Sequence, residues 1–210
     1  MQTLEQLGET INDALPGTVT GVTVARGELT LDVNPGAILP LVGHLRDGLE
    51  FKILVDICGN DWPQRAKRFD IVYHLLSLTS NRRIRLKAQV GEGEAIASIT
   101  GLYPAAGWFE RETFDMYGVA FDGHPDMRRI LTDYGFSGYP LRKDFPLTGY
   151  LELRYDDELK RVVYQPVQLV QEFRDFDFMS PWEGAPHILP GDEKAVMAPG
   201  EASGNPGKTP

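Results

Sequence analysis

Glu110, Arg111, Glu112 and Asp115 crowd three carboxylates and a guanidinium into one short stretch, the raw material of acid–base catalysis, metal ligation or an ion-pair network. On a helix, residues two apart point roughly 200° away from one another. Glu110 and Glu112 therefore cannot flank one scissile bond. Glu112 and Asp115 do share a face, and Arg111 and Asp115 stand at the i, i+4 spacing of a helical ion pair. That pattern favours a structural or interface role over catalysis. His124-Pro125-Asp126 followed by Arg128-Arg129 has the composition of a triad fragment or an anion clamp. It reads more simply as a turn whose Asp and Arg side chains tie down backbone and neighbouring carboxylates. Arg142-Lys143-Asp144 is best read as ion pairing to a partner.

No other constellation competes with these. The histidines, His44, His74, His124 and His187, are scattered and make no metal spacing with the single cysteine, Cys58. Gly91-Glu92-Gly93 lacks the third glycine of a dinucleotide fingerprint, and neither a phosphate-binding loop nor a Gly-x-Ser-x-Gly elbow occurs. No catalytic, cofactor-binding or metal-binding residue is expected in this chain.

The elements that hold these residues follow from periodicity. Leu4, Leu7, Ile11, Ala14 and Leu15 at three- and four-residue spacing predict a helix stopped by Pro16-Gly17. Thr18 to Val24 and Glu28 to Val33 predict a hairpin around Arg26-Gly27. Asn34-Pro35 opens a helix carrying Ile38, Leu41, Val42 and Leu45, with Pro40 an irregularity in its first turn. Phe51 to Cys58, Phe69 to Leu78 and Arg83 to Val90 predict strands, Ala95 to Thr100 a shorter one, and a helix from Pro104 ends before Gly118. That helix also carries Trp108, Phe109, Phe114, Met116 and Tyr117, more apolar surface than one core-facing stripe needs, so a second face is expected against another chain.

From Val119 to Tyr150 periodicity gives way to glycine, proline, aromatics and arginine, the composition of a functional loop. Leu151 to Tyr155 and Arg161 to Gln165 predict a final hairpin, with a short helix within Pro166 to Phe178. Strands in series with helices to one side indicate an α+β fold, one mixed or antiparallel sheet with a few flanking helices, followed by a long extended partner-wrapping C-terminal segment. The expected division is an α+β domain over residues 1–118, an extended aromatic- and Arg-rich docking segment with a hairpin over 119–183, and a tail over 184–210. The tail holds five Gly and five Pro, so disorder is expected there unless a partner binds it.

Composition narrows the partners. Twenty-one basic against 30 acidic residues give a net charge of −9, a field that repels nucleic-acid and lipid phosphates. One cysteine suits a reducing compartment. The N-terminal residues have neither the basic nor the apolar region of a secretory signal, and no apolar run reaches the roughly 18 to 20 residues of a membrane span. A cytoplasmic-side polypeptide is expected, with membrane contact only through a partner.

The sequence Glu110-Arg111-Glu112-Thr113-Phe114-Asp115-Met116-Tyr117-Gly118, then His124-Pro125-Asp126-Met127-Arg128-Arg129-Ile130-Leu131, closely resembles the signature of the C subunit of the proton-pumping NADH:quinone oxidoreductase, respiratory complex I. The likeness continues through Thr132-Asp133-Tyr134-Gly135-Phe136, Pro140 to Gly149 and Phe173-Arg174-Asp175-Phe176. Ser137 and Tyr139 stand where many relatives carry Glu and His. The resemblance implies a member of the hydrophilic peripheral arm that binds no flavin, cluster or metal itself, FMN, iron–sulfur clusters and quinone belonging to other chains. It further implies docking beside the pair formed by the D and B subunits, on the cytoplasmic side of a bacterial inner membrane or the equivalent matrix side.

On that reading Glu110, Arg111, Glu112, Asp115, His124, Arg128, Arg129, Arg142, Lys143 and Asp144 organise the partner interface and the extended segment. An equivalent scaffold subunit of a membrane-bound energy-converting hydrogenase or related dehydrogenase is the nearest alternative. A free-standing enzyme using Glu112, Asp115 and His124 in acid–base roles is a reading of another class, and it predicts a monomer with turnover alone.

Overall fold

Thr3 begins the first helix with a capping box. Its hydroxyl accepts the N–H of Gln6 at 3.2 Å, and the Gln6 side chain accepts the N–H of Thr3 at 2.9 Å, so two donors of the open turn are satisfied. Helix α1 (Leu4–Ala14) buries Leu7 and Ile11 at the predicted spacing. Strands β1 (Val19–Ala25) and β2 (Glu28–Val33) form the predicted hairpin, and Arg26 and Gly27 both take positive φ (54° and 78°), as a two-residue turn between twisted strands requires. Asn34 then caps a short 3-10 turn, and α2 (Ile38–Asp47) follows. Pro40 lies in the first turn of α2, where an N–H would have no intrahelical partner, so the helix tolerates it.

The computed structural model describes residues 3–171, which divide into a unit ending at Val167 and a second beginning at Gln168. In the first unit, β3 (Ile53–Asp61), β4 (Phe69–Ser77) and β5 (Arg82–Val90) form an antiparallel meander. The hairpin joins it through β2 lying parallel to β5, with Leu31 beside Leu86, giving the order β1-β2-β5-β4-β3. The fold is α+β with a mixed sheet. Leu29, Leu31, Ile71, Tyr73, Leu75, Ile84 and Leu86 from the sheet cluster with Leu7 and Ile11 of α1 and Ile38, Leu41 and Leu45 of α2. By alternation the opposite sheet face carries polar side chains, among them Asp56, His74, Arg85 and Lys87.

The short β6 (Ala95–Ala97) leads to helix α3 (Ala106–Tyr117), which packs on β3, and then to β7 (Ala120–Asp122), parallel to β6. Gly118 ends α3 in the left-handed conformation, φ 78°, and has no room for a side chain: a Cβ there would stand 2.6 Å from the Tyr139 ring. Val119 and Phe121 are buried in the same core as the sheet, so chain beyond Gly118 still contributes to it. Residues 123–150 contain turns but no further helix or strand, and β8 (Leu151–Asp156) and β9 (Arg161–Pro166) make the last hairpin. Of the helix expected within Pro166 to Phe178, residues 167–171 contain none, and 172–178 lie outside the described residues, as do the 184–210 tail and Phe173 to Phe176.

Part of the apolar surplus on α3 is taken up within the chain. Phe114 meets Tyr139 edge-on and Tyr117 meets Phe69, both within the chain, while Trp108 remains 63% exposed. The fully enclosed side of the helix is largely polar: Glu110, Thr113 and Asp115 are buried with Ala106 and Met116.

Candidate functional site

Asp115 is the hub of the segment that follows α3. Its Oδ2 accepts the N–H groups of Ile130, Leu131 and Thr132 at 3.0, 2.7 and 2.9 Å, and its Oδ1 accepts the Thr132 hydroxyl at 2.7 Å. Arg129 donates to the same Oδ1 at 3.3 Å, to the Gly138 carbonyl at 2.9 Å and to Thr132. Burial pushes the Asp115 carboxyl up, but the hydrogen bonds from Thr132, Leu131 and Ile130 outweigh it and hold the group below the usual carboxylate range. The ion pair expected between Arg111 and Asp115 does not form. Arg111 instead turns its guanidinium to the carbonyls of Arg128 and Arg129, at 2.8 and 3.2 Å.

Glu110 is a second buried carboxylate with the opposite balance. It accepts the Ser98 hydroxyl at 2.7 Å and the Ile99 N–H at 2.8 Å, yet burial dominates and raises its pKa, with those two bonds and His124 only partly offsetting the cost. His124 lies 4.0 Å from Glu110. Its Nδ1 accepts the Asp126 N–H at 3.0 Å, which assigns the ring proton to Nε2, 3.1 Å from the Gly107 carbonyl. His124 thus pins the turn after β7 to α3. It has no acid–base partner facing solvent, its side chain being 2% exposed.

Arg142 enters from the far end of the segment. It donates to the Tyr117 carbonyl at 2.7 Å and to Glu92 at 2.5 Å, and its guanidinium lies over Phe69 and Tyr139 at 5.1 and 4.4 Å. Tyr139 also faces Arg129, so two arginines bracket one ring. Asp144 pairs with Arg68, which clasps Asp61 at 2.6 and 2.8 Å. Asp61 in turn accepts the backbone N–H of Lys143 at 2.7 Å. The hydrogen bonds from Arg68 chiefly, then from Lys143, keep the Asp61 carboxyl below its ordinary range despite burial. Lys143 and Glu112 are exposed, and Arg128, 79% exposed, is clasped to Asp126 at 2.7–2.9 Å.

Ser98, Arg68 and Asp61 belong to this network, and no motif in the sequence singles them out; Glu92 and Tyr139, which the motifs touch without giving them a role, belong to it as well. Asp61 and Arg68 close the β3–β4 turn, and an acid and a base at the two ends of a predicted hairpin are the signal from which that pair could be found.

Among the described residues one trio has metal-ligand types in reach: Asp56, Cys58 and His74, with ligand atoms within 4.8 Å of one another. Arg85 donates to His74 Nε2 at 3.0 Å, so a guanidinium already stands against the imidazole where a cation would be repelled. Burial and the adjacent Asp56 push the Cys58 thiol up, away from a thiolate.

The last hairpin reverses the usual amphipathic arrangement. Leu153 faces Tyr164 and Tyr155 faces Val162 across the strands, and cross-strand partners point to the same side. Leu151, Leu153, Tyr155, Val162 and Tyr164 therefore form one apolar face, each 54–62% exposed. The other face is tied by Arg154 to Gln165 at 2.8 Å, Gln165 to Glu152 at 2.6 Å and Arg154 to Asp156 at 3.1 Å. Tyr164 donates its hydroxyl to Asp133, linking hairpin to segment.

A small core that ends in a buried carboxylate clasp, with a hairpin whose apolar face is exposed among the described residues, has the character of a protein that is assembled with others. The sequence model of the family described as "Respiratory-chain NADH dehydrogenase, 30 Kd subunit" matches residues 31–151, and the chain belongs to that family. The C subunit of NADH-quinone oxidoreductase from Azorhizobium caulinodans is 58% identical over 201 residues, covering 95% of both chains. The protein of the same name from Paramagnetospirillum magneticum is 61% identical over 197 residues, covering 92% of this chain and 98% of its own. Among solved structures, a trypsin-resistant fragment of Nqo5 is 27% identical with a TM-score of 0.51, covering 60% of this chain and 99% of the fragment. A chain of the membrane-bound sulfane sulfur reductase, an archaeal respiratory membrane complex, is 26% identical with a TM-score of 0.58, covering 68% of this chain and 85% of its own.

Proposed function

We propose that this chain is a non-catalytic scaffold in the peripheral arm of a proton-translocating NADH-quinone oxidoreductase, docked beside the D and B subunits. The observation that carries this reading is the exposed apolar face of the β8–β9 hairpin. A two-stranded sheet is marginal in water by itself, and one that turns five large apolar side chains outward gains stability only when a neighbour covers them. The buried carboxylates support the same reading, since Glu110 and Asp115 direct their hydrogen bonds to their own chain, away from any substrate. In this role Glu110, Asp115, His124 and Arg129 shape the segment, while Arg111, Glu112, Arg128, Lys143 and the hairpin meet neighbours. Arg142 and Asp144 anchor its far end.

FMN, iron–sulfur clusters and quinone then belong to other chains, and electrons pass from NADH to quinone without touching this one. Membrane contact is indirect, on the cytoplasmic side of the inner membrane, which accords with the described helices, none of which is long and apolar enough to cross a membrane. The likeness to the archaeal respiratory complex keeps a second reading in play, the equivalent scaffold of a complex with a different electron donor. Affinity purification of the tagged chain from solubilised membranes, with mass spectrometry and an NADH:quinone assay on the eluate, decides between them. Flavin-, cluster- and quinone-site subunits with activity support the first reading, hydrogenase or reductase subunits support the second, and a lone chain defeats both.

A further inference from the structure

We infer that the pocket between α3 and the turn at Ile130–Gly135 receives one carboxylate from a neighbouring subunit, an inference that rests on the scaffold reading above. The pocket has a volume of about 590 Å³, and its lining includes Arg111, Arg128, Arg129 and Tyr134 together with one carboxylate, Asp133. Two of the three cations are paired inside the chain: Arg129 with Asp115, Arg128 with Asp126. Arg111 is not. Its hydrogen bonds go to two backbone carbonyls, and it makes no ion pair among the described residues. Asp126, the carboxylate that feels its charge, is already clasped by Arg128, and Asp133 is taken by the Tyr164 hydroxyl. Nη1 of Arg111 and Nη1 of Arg128 donate none of the hydrogen bonds found among those residues.

The site therefore presents a guanidinium with no ion pair and two Nη1 groups with no acceptor among the described residues, while its lining carboxylate, Asp133, is engaged by Tyr164; this is the complement of a single carboxylate held by planar N–H donors. A phosphate dianion or an anionic bilayer fits less well. Asp133 lines the pocket, Asp126 pairs with Arg128 of its wall, and the chain as a whole carries −9, which weighs more against a dianion or an anionic surface than against one monoanion. The flanks point to protein as the source. Trp108, 63% exposed under the Arg111 guanidinium at 5.4 Å, Leu131, 61% exposed, and Tyr134, 98% exposed, supply the tryptophan, tyrosine and arginine composition in which binding energy concentrates at protein interfaces.

The test uses the assembled complex. R128K places a primary amine at the pocket, and a zero-length carbodiimide joins that amine to a carboxylate in contact with it; mass spectrometry then identifies the linked peptide. A link to an Asp, Glu or C-terminal carboxylate of another subunit is the expected result. R128E, on a side chain 79% exposed whose ion pair is the surface clasp to Asp126, is expected to lower recovery of the neighbouring subunits at least tenfold while changing the thermal stability of the full chain only slightly. Links only to Asp126 or Asp133, or none, with wild-type recovery for R128E, overturn the inference. So does recovery that depends on added anionic phospholipid rather than on a protein carboxylate. If the wild-type chain recovers no other subunit, the scaffold reading itself has failed, and that result is distinct from both.

Discussion

Thr132 gives Asp115 both of its donors, the backbone N–H at 2.9 Å and the hydroxyl at 2.7 Å, and so fastens a turn seventeen residues downstream to the C-terminal half of α3. With the N–H groups of Ile130 and Leu131 on the same oxygen, one side chain replaces the hydrogen-bonding that a strand or helix would have given this stretch.

Asp115→Ala strips three backbone donors and Arg129 of a fully buried acceptor. A loss of about 3–5 kcal/mol is expected, measured by chemical denaturation of the full chain. Asp115→Asn, which keeps the shape and removes the charge, is expected to lose less than the alanine variant. Because the folded carboxyl lies below its ordinary value of 3.8, its contribution is present above that pH and is lost as pH falls through the folded value. The asparagine variant therefore shows a flatter acid limb; an unchanged acid limb contradicts the assignment.

Glu110 predicts the reverse slope. Its folded pKa lies above the ordinary 4.5, so its stabilising contribution is complete below 4.5 and is lost as pH rises through the folded value. Glu110→Gln can still accept the Ile99 N–H and carries no charge to desolvate. The stability of the variant relative to wild type is expected to rise as pH increases above 4.5 and to level off once pH passes the folded value, and a difference that is constant with pH in thermal melts defeats this reading.

Two glycines separate backbone strain from packing. Gly118 and Gly123 have nearly the same φ, 78° and 82°, but a Cβ on Gly118 meets the Tyr139 ring at 2.6 Å and Arg142 Nη2 at 2.7 Å, while Gly123 faces open space. Gly123→Ala is expected to cost about 1 kcal/mol, the conformational penalty alone. Gly118→Ala is expected to cost about 1–3 kcal/mol more, since the two-arginine bracket around Tyr139 must give way. Equal losses for the two variants in denaturant melts rule out the packing contribution.

Arg142→Ala removes two hydrogen-bond donations and two ring contacts from a side chain only 14% exposed, and leaves the Tyr117 carbonyl without its partner. Assembled complex and NADH:quinone activity are expected to fall together in membranes carrying this variant. Full assembly with lost turnover instead places Arg142 at the reaction itself.

Leu153→Ser probes the hairpin face. The side chain is 58% exposed, so the free chain should melt within about 0.5 kcal/mol of wild type. Recovery of neighbouring subunits in the purification should nevertheless drop severalfold. A chain that loses stability but keeps its partners argues that the face is covered from within.

Much of the fold is legible from residue order because its signals are local. The turn at Arg26-Gly27, the capping residues and the glycine after Tyr117 each act over a few positions, and the helices and hairpins lie where those residues predict them. The parallel pairing of β2 with β5 is not local, and neither is that of β6 with β7; no residue type announces a strand's distant neighbour. Strand β3 also runs to Asp61 rather than Cys58, because the Asp61–Arg68 clasp extends the ladder past the apolar run. Glu110, Asp115, His124, Arg129 and Arg142 of the hydrogen-bonded network stand in legible motifs, Ser98, Asp61 and Arg68 do not, and the geometry that joins them is illegible. Arg111 and Asp115 have the spacing of an ion pair, yet a better set of donors reaches Asp115 from residues 129–132, and sequence spacing within a helix carries no information about a loop folding back on it.

The strand order also fixes a sequence of events during synthesis. The N-terminal hairpin leaves the ribosome first, but Thr30 must wait for Arg85, 55 residues later, to find its place beside it. Until then β2 has an open edge, with α1 as the cover already made for its core side chains Leu29 and Leu31, and an open edge is where strands mispair between nascent chains. The meander of β3, β4 and β5 can close on nearest neighbours alone, and it is the template on which the older hairpin is finally seated. The first strands made are thus among the last to be secured, and a chain interrupted before Arg82 is left with a hairpin that has nothing to join.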